Sequence, residues 1–117
     1  MNLSKANLAE IANIKLFKQL NTNRNGYDAA PLNPIAIEKA IGFINEINNF
    51  DIDAYLSSPG PNGEVMVQLK KGKREMECVF YSQKEKYVLF NDNTFQSQGI
   101  YTAIILPELL TWLSDDE

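Results

Sequence analysis

The sequence predicts an α+β fold: an antiparallel meander sheet of four or five strands, with N-terminal helices and a C-terminal helix packed on one face. Three observations carry this. Residues 34–50 repeat their apolar positions with the period of a helix. From residue 53 the period changes to two, in short runs broken by Gly, Pro, Asn and Lys. Near the end the helical period returns, with Leu106, Leu109, Leu110 and Leu113 at i, i+3, i+4 and i+7. The turns between the runs are too short for crossovers, so neighbouring strands must pair antiparallel. The 117 residues suit a single domain, 1–117.

Residues 3–20 read as a first helix with Ser4 as N-cap. Its apolar positions, Leu8, Ile11, Ala12, Ile14, Leu16, Phe17 and Leu20, spread around most of the wheel. Such a helix is deeply buried, broken near Asn13, or docked on a partner. Residues 21–34 are loop in composition, and Asn25-Gly26 suits a tight turn. Asn33 and Pro34 form a cap and first position for the second helix. Ala36, Ile37, Ala40, Ile41, Phe43, Ile44, Ile47 and Phe50 share its inner face.

The strands follow in order. Residues 54–57 form a first short strand, and Ser58-Pro59-Gly60-Pro61-Asn62-Gly63 a turn. Val65, Val67 and Leu69 alternate with Met66, Gln68 and Lys70; Met76, Cys78 and Phe80 alternate with Glu75, Glu77 and Val79. Residues 87–90 and 94–98 complete the meander, separated by Asn91-Asp92-Asn93. In the last helix, Asp115, Asp116 and Glu117 oppose the dipole, so its end is expected to fray.

Composition narrows the chemistry. There is no histidine and one cysteine, which excludes His-dependent nucleophilic catalysis, His-ligated metals and an internal disulfide. No cofactor or metal is expected. Cys78 shares a strand face with Met76 and Phe80 and reads as core. Glu75 and Glu77 share the opposite face, and Asp51 and Asp53 flank a helix end; neither pair has the spacing of a metal loop. No apolar stretch is long enough for a bilayer span, and the N-terminus lacks the apolar run of a signal peptide. A cytoplasmic location is expected, with no membrane partner.

Net charge is −4, which argues against a general nucleic-acid binder. The charge is uneven, however. Lys70, Lys71, Lys73, Arg74, Lys84 and Lys86 outnumber three acids in residues 70–86, which carry +3 against −7 for the remainder. This basic hairpin is the candidate phosphate contact, with Tyr81 and Tyr87 available to stack on bases.

The stretch NRNGYDAAPLNPIAIEKAIGFI, residues 23–44, resembles a motif of small bacterial proteins that runs N-W-D-G-Y-G-A, then Pro, then an amphipathic helix. Asn23, Gly26, Tyr27, Ala29 and Pro31 match that motif, while Arg24, Asn25 and Asp28 replace its Trp, Asp and second Gly. The family's following hairpin, announced by P-x-x-x-G, resembles the 58–69 segment, so the likeness covers roughly residues 20–82. It implies an α+β fold, a bacterial cytoplasmic setting and variable or mobile gene neighbourhoods, and no established activity.

Taken together, these features predict a non-enzymatic protein-binding module, of the antitoxin, immunity or inhibitor type. Arg24, Tyr27 and Asp28 in the loop, and Tyr101 and Trp112 near the C-terminus, are the candidate partner-binding residues. Aromatic anchors are favoured at interfaces. A homodimer fits the same features. The alternatives are a nucleic-acid-binding regulator that uses the 70–86 hairpin, and a small enzyme.

Overall fold

The computed structural model describes residues 2–17 and 33–115. Within them the order is α1 (Lys5–Leu16), α2 (Pro34–Asn48), β1 (Leu56–Pro59), β2 (Val65–Lys71), β3 (Arg74–Phe80), β4 (Glu85–Asn91), β5 (Thr94–Ile100) and α3 (Leu106–Ser114). The strands form one antiparallel sheet in the order β1-β2-β3-β4-β5. The predicted meander therefore holds. β1 starts two residues later than the sequence suggested, and β5 runs on to Ile100.

Register assigns the faces, because Cα partners project to the same side. Val67 pairs with Ser57 and Cys78, and Leu69 with Met76. These side chains are buried and meet the helices. Met66, Gln68, Glu77, Val88 and Phe90 project from the other side, which carries no described helix.

Each helix is set by its ends and one stripe. The Asn33 carboxamide oxygen accepts from the N–H groups of Ile35 (2.8 Å) and Ala36 (3.3 Å), and Pro34 occupies the first turn. Ala36, Ile37, Ala40, Phe43, Ile44 and Ile47 are buried as predicted, but Phe50 lies beyond the helix and is 45% exposed. In α3 all four predicted leucines are buried. Phe43, Phe80 and Tyr101 pack ring against ring, with centroids 5.3 and 5.4 Å from Phe43.

α1 explains its own poor amphipathicity. Ser4 caps it, accepting from the N–H of Asn7 at 3.1 Å. Its inner face is Asn7, Ile11 and Ile14, while Leu8 and Leu16 are exposed. Asn7 is wholly buried yet fully bonded. Its amide donates to Asn48 (3.0 Å) and to the Ile52 carbonyl (2.9 Å), and its oxygen accepts from the Ala54 N–H (2.7 Å). A polar residue at the centre of the stripe thus works as a clamp between α1, α2 and the entry to β1.

Candidate partner-binding surface

The helical layer covers only part of the sheet. α1 lies against β1, and α2 and α3 against β2 and β3. The inner positions of β5 are Ser97 and Gly99, opposite Leu89 and Tyr87. They carry too little apolar surface to attract a helix, and Ser97 is exposed. Gly99 has a local reason: a Cβ there would stand 2.8 Å from the Tyr87 hydroxyl, so the Tyr87 ring closes over the glycine. The β4–β5 hairpin is consequently a wing that extends past the helices. Its turn is a two-residue connection with Asp92 and Asn93 both at positive φ, 53° and 65°, the backbone that matches strand twist.

The outer face is a mosaic. Phe90 and Phe95 stack edge to face at 6.5 Å. Phe95 is 54% exposed and Ile100 74%. Val88, Met66 and Val79 continue the apolar surface inward from the wing. Leu56, at the far side, is exposed as well. Between them runs a charged row. Lys70 meets Glu75 at 3.7 Å, and the Gln68 amide donates to Glu77 at 3.3 Å. The Glu77 carboxyl is pushed above its ordinary value by burial; the Gln68 bond lowers it, Glu75 raises it and Lys86 lowers it. A depression of about 370 Å³ lies beside this row, walled by Pro59, Pro61, Met66, Glu77, Tyr81 and Lys86.

The predicted site residues are dispersed. Arg24, Tyr27 and Asp28 lie outside the described residues. Tyr101 is not a surface anchor: it is 8% exposed, part of the aromatic trio, and burial pushes its hydroxyl pKa up. Trp112 is half-buried, with the Arg74 guanidinium 4.8 Å from its ring centroid. Arg74 Nη1 also donates to the Trp112 carbonyl. Two residues predicted for different surfaces therefore occupy one another. The cation sits at the last turn of α3, where the dipole favours it and the sequence placed only acids.

The basic hairpin also divides. Lys70, Lys71, Lys73 and Arg74 surround the β2–β3 turn, where Gly72 takes φ 60°. Lys84 in the β3–β4 connection and Lys86 at the start of β4 lie at the opposite end of β3, and both stand over the Tyr81 ring, at 5.1 and 6.0 Å. A seven-residue strand separates the two groups by about 20 Å. Arg74 is committed to α3 and Lys70 to Glu75 and the Tyr55 ring. One continuous basic patch does not form.

Cys78 is buried at the centre of the core, and burial pushes its thiol up, away from the reactive thiolate. Among the described residues no three Asp, Glu or Cys side chains gather where they could hold a metal. No described helix is long and apolar enough to cross a membrane. Phe95 is one of the C-terminal aromatics that the sequence also offers as an interface anchor, but the outer-face residues Leu56, Val88, Phe90 and Ile100 escaped the sequence reading. Their signal was the apolar outward positions Val88 and Phe90 on β4, beside a β5 whose inner positions, Ser97 and Gly99, are small. No protein-family model, curated protein or solved structure matches the chain.

Proposed function

We propose that the chain is a non-enzymatic protein-binding module, of the antitoxin, immunity or inhibitor type, that receives its partner on the open face of the sheet. One observation carries the reading: every described helix lies on the other face, while half-buried Val88 and Phe90 and exposed Phe95 and Ile100 form an apolar strip beside a charged row. An apolar centre with a polar margin is the composition of protein interfaces. The charged row supplies both signs, so a partner surface of alternating charge fits it better than a polyanion does. The division of the lysines between two ends of the sheet speaks against the nucleic-acid reading, which needs a row of cations along a backbone.

The test is capture from cell extract by the tagged chain, read by mass spectrometry and by nucleic-acid content. Wild type is compared with Val88→Lys, Phe95→Ser and the double reversal Lys71→Glu/Lys73→Glu. A partner lost with the first two and kept with the third supports the reading. Nucleic acid lost with the lysine reversal and with rising salt would overturn it.

A further inference from the structure

The sheet has two edges, β1 and β5. At β1, the Ser57 N–H donates to Glu10 at 3.0 Å and its carbonyl accepts from Asn13 at 3.3 Å. The helix thereby satisfies backbone groups that would otherwise invite another strand. At β5 no such cover exists among the described residues, and beyond its ladder to β4 no backbone bond reaches residues 94–100. The strand reads TFQSQGI, with no charge and no proline, the two common edge protections. Only a bulge interrupts it, at Gln96 between the Leu89↔Ser97 and Phe90↔Phe95 pairs, which leaves residues 97–100 regular.

We propose that β5 is a self-association strand: two copies join β5 to β5, antiparallel, about a twofold axis through Gln98. Hydrogen-bond alternation and the placing of the two protruding apolar residues together select the register. The Tyr101 N–H donates to the Glu85 carbonyl at 3.0 Å. In an antiparallel ladder the groups alternate, so Gly99 and Ser97 also face β4, and Gln98 and Ile100 present N–H and C=O to the open side. An axis through Ser97 or Gly99 would also satisfy the ladder, as a non-hydrogen-bonded pair, but it would not bring Phe95 of one copy to Ile100 of the other. An axis through Gln96 falls on the bulge, and one through Ile100 runs into buried Tyr101. Through Gln98, every pair agrees in direction and in face. Gln98 meets Gln98 and exchanges backbone bonds, Ser97 meets Gly99 on the inner side, and past the bulge at Gln96, Phe95 meets Ile100 on the outer side.

The same axis says why the occupant is a second copy. The strand's two protruding apolar residues, Phe95 and Ile100, lie at opposite ends. The twofold brings Phe95 of each copy in line with Ile100 of the other, so both ends of the junction bury what one chain alone exposes. No like charges meet along the strand. The junction extends the sheet through both copies and leaves Val88, Phe90 and the charged row of the outer face open in each.

The experiment is sedimentation equilibrium of the full chain across the micromolar range, with light scattering as a second readout. Wild type is expected at twice the chain mass. Gln98→Lys and Gln98→Glu each place like charges face to face on the axis, and each is expected at the single-chain mass. Mixing the two variants in equal amounts is expected to restore the double mass, which only an axis through this residue explains. Gln98 is exposed and its N–H points away from β4, so circular dichroism and melting temperature should match wild type. Gln98→Pro, which removes that outward N–H, should be monomeric and folded too. A wild type that stays monomeric, a dimer indifferent to these substitutions, or charge variants that fail to recombine would each overturn the proposal.

Discussion

The two edge strands of the sheet make different uses of the same problem. β1 is a short strand whose outward N–H and C=O at Ser57 are taken by Glu10 and Asn13 of α1. β5 is longer, reaches beyond the helices, and offers its outward groups to solvent. Sealing an edge here takes no extra strand. It takes a helix held at the right height, and the Asn7 clamp holds it. Where no helix arrives, the strand compensates only by a bulge and by lacking apolar residues on its inner side.

The largest effect should come from releasing the clamp. Asn7→Leu leaves the Ala54 N–H, the Ile52 carbonyl and Asn48 without their partner. An unsatisfied buried group costs roughly 1–3 kcal/mol, so about 3 kcal/mol of stability should be lost, measured by urea denaturation. Opening the sealed edge itself should cost less. Glu10→Ala with Asn13→Ala removes the side chains that meet Ser57 while leaving α1 docked through Ile11 and Ile14. A loss of about 1–2 kcal/mol is expected. Amide exchange at Ser57 should accelerate, with no change at Gln98. If Ser57 stayed protected, the contrast between the two edges would fail.

The smallest effect concerns the outer face. The fold holds the Glu77 pKa above the ordinary 4.5, so it favours the protonated carboxyl. The associated stability is complete below pH 4.5 and is lost as pH rises through the raised value. Glu77→Gln mimics the protonated form and can still meet Gln68. The variant should melt slightly higher than wild type at neutral pH, and the difference should vanish in acid. A higher melting point persisting below pH 4.5 would assign the gain to something other than charge.

Much of this architecture could be read from periodicity. The α2 stripe and the α3 leucines were legible because a helix against a sheet buries one face, and the alternation in β2 and β3 because their inner side is dry. α1 was illegible for a physical reason: the residue at the centre of its buried stripe is Asn7, which no apolar count marks. Tyr101 was misjudged because an aromatic near a terminus looks the same whether it caps a core or a partner. The basic hairpin was misjudged because closeness in sequence is not closeness in a meander. Successive turns fall at opposite ends of the sheet, and Lys73 and Lys84 are carried apart by the strand between them. The open edge of β5 was visible only in retrospect, in Ser97 and Gly99.

The clamp has a further consequence, in time rather than in energy. Every strand pairs with its neighbour in sequence, so the sheet can zip hairpin by hairpin through short loop closures. Asn7, by contrast, must find Asn48 and Ala54, 41 and 47 residues away. α1 leaves the ribosome before α2 and β1, yet its seat is complete only after α2 and the start of β1 have been made. The helix that seals one edge is thus among the last pieces to settle. Until it does, a newly made chain carries two open edges instead of one, and crowded synthesis is when unintended strand pairing between copies has its best opportunity.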